Sequence, residues 1–204
     1  MIVKGVHTML KKEMNKYLEE RKLQTEEKIV LFEEELNYVK KEGLIDENIV
    51  VEHTAERFSD LYMELANKET DEVVTENVQK TILKEEVRYL ERNIEFYLYV
   101  ETKAFDIVSV DSMSLEVDSV FDTYEILCGL KCPKKAEKEI RTFLENHLTG
   151  DDSSYHLMFN GNDGLWDFNF SLEKISGFRK EMEIGEALKL AYLFLFALNE
   201  KLSA

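Results

Sequence analysis

The sequence predicts an α+β protein in which a helical N-terminal half packs on a C-terminal antiparallel sheet that carries a buried final helix. Three observations predict it. First, residues 154–172, SYHLMFNGNDGLWDFNFSL, alternate strictly between apolar and polar positions on either side of an Asn/Gly/Asp cluster. That is the period of two half-buried strands joined by a turn that accepts positive φ. Second, apolar residues through about the first hundred positions recur at three- and four-residue spacing, the period of an amphipathic helix. Third, residues 190–198, LAYLFLFAL, are apolar on every side yet far short of the about 20 residues a membrane span needs. A helix apolar all round is buried all round, so this one is expected to lie across the aromatic face of the hairpin on one side and against the N-terminal helices on the other.

Bulk composition agrees. A chain of 204 residues with 44% hydrophobic content can bury a core, and one Pro with 8 Gly favours long helices over a loop-rich β fold. The net charge of −16, from 42 acidic against 26 basic residues, repels phosphate backbones and anionic membranes, so neither nucleic acid nor a membrane surface is expected as a partner. Residues 1–10 hold no apolar leader core, and the first eight read as an alternative start or a frayed arm. With two cysteines, Cys128 and Cys132, and no leader, the expected compartment is a reducing cytoplasm with both thiols free.

In chain order, Leu10, Met14, Tyr17 and Leu18 mark a first helix. Thr25 is the expected cap of a second that carries Ile29, Phe32, Leu36 and Val39, and Gly43-Leu44 ends it. The two read as a helical hairpin. Residues 46–51 fit helix or strand equally. Thr54 is expected to cap a helix bearing Phe58, Leu61, Tyr62 and Leu65. Another opens at Thr70 or Asp71 with Val74, Val78 and Ile82, and Leu83, Val87, Leu90, Ile94, Tyr97 and Leu98 continue a helical stripe whose end is open to an alternating reading over 96–100. Phe105 to Val120 is β-prone in short pieces, and Tyr124, Ile126, Cys128 and Leu130 alternate as a strand. Pro133 precedes a helix over about 134–148 with Ala136, Ile140, Phe143, Leu144 and His147 on one face, stopped by Gly150. The expected division is a helical part over 1–100 and an α+β part over 101–204, forming one compact unit because no Gly-, Ser- or Pro-rich linker separates them.

Few residues point to chemistry. His156, Asp167 and Asn169 fall on the polar face of the hairpin, where a favourable register makes a His–Asp pair that orients an imidazole. Ser153 and Ser154 lie nearby, but no nucleophile elbow surrounds them. The plain alternative is a solvated sheet face. Cys128 and Cys132 have neither the redox nor the zinc spacing, and the four histidines are unpaired, so the cysteines read as small core residues and no metal is expected. The acidic series Asp106, Asp111, Glu116, Asp118, Asp122 and Glu125 can hold a hard cation only in a ligand order that is missing here, and a solvated acidic face is the simpler reading. Phosphate loops, dinucleotide fingerprints, zinc-protease and di-iron signatures are all absent from the sequence, and no cofactor is expected.

The block KAFDIVSVDSMSLEVDSVFDTYEILCGLK (103–131), together with GLWDFNFSLEKISGF (164–178), resembles a small family of uncharacterised proteins from Gram-positive, spore-forming bacteria. The likeness extends from about Met9 to the C-terminus. It implies no established activity. Some members carry an aminotransferase label, which these residues do not support: the chain is short for a pyridoxal-phosphate fold and has no phosphate-binding loop.

Two functional classes remain open. One is a non-catalytic binding or regulatory protein that engages a protein partner, or a second copy of itself, through an acidic surface or the apolar final helix. The other is a small enzyme or ligand-binding protein with a pocket between helices and sheet that uses His156, Asp167 and Asn169. A polar sheet face covered by helices favours the pocket; a face open to solvent favours the interaction.

Overall fold

The computed structural model describes residues 7–24, 28–45, 50–52, 55–58, 60–149 and 155–203. In chain order its elements are α1 (His7–Gln24), β1 (Lys28–Val30), α2 (Glu33–Lys41), β2 (Val50–Glu52), β3 (Tyr62–Asn67), β4 (Val73–Thr75), β5 (Phe96–Glu101), β6 (Val110–Val117), β7 (Tyr124–Leu130), α3 (Glu137–His147), β8 (Tyr155–Asn160), β9 (Leu165–Ser171) and α4 (Ile184–Ser203). Single 3-10 turns fill several of the connections. β3 to β9 form one seven-stranded sheet in the order β4-β3-β5-β6-β7-β9-β8, antiparallel at every step, while β1 and β2 pair separately and parallel.

This corrects the expected helical N-terminal half packed on a C-terminal sheet. The sheet occupies the middle of the chain, with helices before and after it, and three of its strands come from residues 62–101. The helix expected over Phe58 to Leu65 is instead a 3-10 turn at Ala55–Phe58 followed by β3. The one expected to carry Val74, Val78 and Ile82 is β4 and a 3-10 turn at Lys80–Lys84. The stripe from Leu83 to Leu98 breaks into 3-10 turns and ends in β5, the alternating reading of 96–100. A second helix does form, but from Glu33 rather than from Thr25, with β1 ahead of it. Phe105 to Val108, read as β-prone, is a 3-10 turn. The residues invoked at Thr25, 46–49, His53, Thr54, Gly150, Ser153 and Ser154, and the first six positions, lie outside the described residues.

Other elements follow their local chemistry. Leu10, Met14 and Leu18, each four apart, are buried along α1. At the start of α2 the Phe32 backbone N–H donates to Glu35 Oε2 at 2.8 Å, satisfying one of the orphan donors of the first turn. At its end Gly43 takes φ +64° while Leu44 N–H bonds Val39 O at 2.9 Å and Gly43 N–H bonds Lys40 O at 3.2 Å, a Schellman closure that a side chain at 43 would strain. The β8–β9 turn is closed by Gly164 at φ +71° and by Asn160, whose Oδ1 accepts from Asn162 and Asp163 N–H.

The inner face of the sheet holds Met63, Leu98, Val100, Met113, Leu115, Ile126, Leu157, Trp166, Phe168 and Phe170, all buried. Helix α4 covers it as the sequence predicts. Phe194 meets Phe170 with ring centroids 5.1 Å apart and Phe143 of α3 at 5.4 Å, and Phe196 meets Tyr38 of α2 edge-on at 5.7 Å. Buried Asn199 fastens α4 to the 103–108 turn: its Nδ2 donates to Val108 O, and its Oδ1 accepts from Ser109 Oγ. Trp166 Nε1 donates to Cys132 O at 3.0 Å, so the largest side chain of the core has its one polar atom satisfied. At the β8 edge Arg141 of α3 donates to Leu157 O at 3.1 Å. No helix among the described residues is long and apolar enough to cross a membrane.

Candidate functional site

Strand register decides the fate of the residues singled out on the hairpin. His156 stands opposite Asn169, and Asp167 stands opposite Met158, so the expected His–Asp pair is only diagonal, and no hydrogen bond joins the three side chains among the described residues. They belong to the outer face. One row of partners crosses it from β3 to β8: Glu64, Tyr99, Ser114, Leu127, Asn169 and His156. Every member of that row keeps access to solvent, and His156 is exposed. The helices lie on the other side, so among the described residues no wall encloses an imidazole here.

The acidic series is dispersed by the same register. Asp106 faces Lys16 at 3.9 Å, and Asp111 is ion-paired with Lys131. No group of three His, Cys, Asp or Glu among the described residues is placed to hold a metal. Cys128 and Cys132 are free, and burial pushes both thiols up to about 12, which leaves them protonated and unreactive.

Two members of the series do meet. Glu116 on β6 and Glu125 on β7 are direct cross-strand partners, an arrangement that repels. Burial raises the Glu125 carboxyl to about 7; the Thr123 hydroxyl, donating at 2.9 Å, opposes this, while Asp118, Glu116 and Glu173 reinforce it. Glu116 is raised by burial too, against the pull of Lys68, whose Nζ is 3.8 Å away. Beyond this pair the β6–β7 hairpin ends in a turn ordered by Asp118, whose Oδ1 accepts from Val120 N–H at 2.8 Å and from Phe121 N–H at 2.9 Å, with Asp122 at φ +52°. The turn holds Val120 and Phe121 outward, 77% and 75% exposed. The sequence predicts Val120 in an extended piece and Phe121 at the head of the segment that leads into the next strand, whereas β7 begins only at Tyr124. The available signal was two large apolar residues inside a segment flanked by Asp118, Ser119 and Asp122, all turn formers.

A second polar centre is buried. Arg57 donates from Nε to Glu35 Oε2 at 3.0 Å and from Nη2 to Oε1 at 3.0 Å, Tyr192 Oη donates to the same carboxylate, and the guanidinium lies 3.9 Å from the Tyr17 ring centroid. Burial alone would lower the Arg57 pKa, but Glu35 carries it above the ordinary arginine value; burial, with Glu35 next, holds Tyr192 far above the ordinary phenol range. Neither Arg57 nor Glu35 is among the candidates that the sequence offers.

Beside this centre is a cavity of ≈ 420 Å³ between the start of α2, the 55–58 and 80–84 turns and the first turns of α4. Phe32 and Phe58 line it edge to face, with Leu83, and Lys80, Lys84 and Lys189 stand around it with Glu183 and Glu186.

No family model, no curated protein and no solved structure matches the chain. What the fold and these sites define is therefore a class only: an α+β module with one dry sheet face under helices and one open face ending in an apolar tip.

Proposed function

We propose that the chain is a non-catalytic protein-binding module that docks through the tip of the β6–β7 hairpin. The observation that carries this is the pair Val120 and Phe121, held outward by an ordered turn with a carboxylate pair behind it. Isolated exposed apolar residues are ordinary; two adjacent ones on a fixed turn form an anchor suited to a partner's pocket. Asp118, Asp122, Glu116 and Glu125 around the anchor suit a pocket rimmed by Lys or Arg, whose charge would relieve the Glu116–Glu125 repulsion. The same charges and the net −16 disfavour nucleic acid and anionic lipid. A reducing cytoplasm, where both thiols stay free, belongs to this reading. Membership of the family from Gram-positive spore formers, which the sequence resembles over 103–131 and 164–178, is part of the same proposal.

The test is a benzoylphenylalanine crosslinker at position 121, irradiated in cells. A discrete heterologous adduct that disappears when Glu116 and Glu125 are changed to Lys is the expected result. An adduct indifferent to that reversal, or one formed only with a second copy of the chain, removes this reading. A ligand-binding role is the second reading, and the ≈ 420 Å³ cavity among the helices favours it.

A further inference from the structure

We propose that this cavity binds an amphipathic organic anion, one aromatic or alkyl body carrying a single carboxylate or sulfonate. Its volume of ≈ 420 Å³ falls within the range of small-molecule sites. The floor is apolar and aromatic. The Phe32 and Phe58 rings meet at 5.5 Å and 73°, and both are backed by the buried Tyr192 ring at 5.6 and 5.5 Å.

The buried Glu35–Arg57 pair holds that floor in place. Glu35 accepts from the Phe32 backbone N–H, and Arg57, next to Phe58, forks onto the same carboxylate, so one ion pair ties the two rings' backbones together. A buried ion pair is weak evidence for stability by itself. Here, together with the β1–β2 pairing just upstream, it fixes the start of α2 relative to the 55–58 turn, which is the preorganisation a binding floor needs. The wall is equally close-fitting: a Cβ on Gly185 would meet Leu83 O at 3.1 Å, so the first turn of α4 sits directly against the 80–84 turn.

The rim supplies the charge. In a chain of net charge −16, three lysines face two glutamates at this mouth. Glu186 is already engaged, accepting from Glu183 N–H at 3.2 Å and standing 3.8 Å from Arg179. Lys84 and Lys189 have no carboxylate partner among the described residues; Lys189 Nζ lies 4.9 Å from the Phe32 ring centroid, directly over the apolar floor. A cation above an aromatic floor recognises an anion on an apolar body better than it does either part alone.

The experiment uses the full chain and two dyes of nearly the same shape. 8-Anilinonaphthalene-1-sulfonate carries the anion and N-phenyl-1-naphthylamine lacks it. Expected are saturable one-to-one binding of the sulfonate, displacement by decanoate, weaker binding of the neutral dye, and a loss of roughly tenfold or more in sulfonate affinity in the Lys84→Glu/Lys189→Glu variant. Both lysines are exposed, so that variant is expected to keep the parent's thermal midpoint. Equal binding of the two dyes, equal binding by variant and parent, or non-stoichiometric binding overturns the proposal. The hairpin tip takes no part in this assay, so its outcome is independent of the docking reading.

Discussion

Glu35 and Glu125 are both glutamates withdrawn from bulk water, and their surroundings are opposite. Glu35 is fully buried, and among the described residues Arg57, Tyr192 and the Phe32 backbone all donate to its carboxylate. Glu125 is half-buried, faces Glu116 across the strand pair, and has one hydroxyl for support. The first site is complete within the chain and sits behind the floor of a cavity. The second is left unbalanced at the rim of an exposed apolar tip. A charge inside a fold is tolerated when its counter-charge is built in; where the counter-charge is missing, protonation or another molecule can supply it.

The largest test of this contrast is Arg57→Met. It leaves a carboxylate buried without its cation and is expected to cost about 3–5 kcal/mol in urea denaturation, with much of the loss recovered when Glu35→Met is added. If the double variant is no more stable than the single, the pair is not the closed unit described. Next is Glu125→Gln. In the folded chain the carboxyl titrates near 7, above its ordinary range, so the folded state binds the proton more tightly than the unfolded state does. Its contribution is therefore present at acidic pH and is lost as pH rises from the ordinary carboxylate range through about 7. The glutamine variant should flatten that slope and gain at most about 1 kcal/mol at pH 8, given solvent screening. A stability–pH curve that keeps the parent's slope rejects the assignment. The smallest effect is expected from Val120→Ser, which touches little and should shift stability by no more than about 0.5 kcal/mol while abolishing the adduct formed by the crosslinker at position 121. A larger loss would mean that the tip is packed and not offered.

Legibility in the sequence followed the length of the periodic signal. The β8–β9 hairpin and α4 were readable because strict alternation on both sides of Asn160–Gly164, and an apolar run over 190–198, admit few other structures. Residues 54–98 were not. Phe58, Leu61 and Leu65, or Val74, Val78 and Ile82, have the spacing of a helix face, but that spacing also arises when a one-turn 3-10 segment runs into a short strand. Neighbouring strands then settle the matter: β3 gains its ladder from β5, a partner some thirty residues away that no local pattern reveals. The buried centre was hidden for the same reason, since Glu35, Arg57 and Tyr192 come from three separate elements; the spacing of Glu35, three after Phe32 and four before Val39, puts it on the apolar face but names no partner for it. On the outer face the polar residues were placed correctly as a set, but the pairing of His156 with Asn169 rather than Asp167 depended on a register that the loop length alone leaves open.

The guanidinium of Arg141 on the Leu157 carbonyl bears on how many strands this sheet can have. That oxygen sits on the outermost strand of one margin, where an incoming chain would otherwise begin its own ladder, and it is already occupied. The opposite margin ends in a strand of three residues beside a register shift, too short and too bent to template another. Among the described residues the sheet thus ends in an arginine-held carbonyl at one border and a three-residue strand at the other, both of which discourage edge-to-edge stacking without the closure of a barrel.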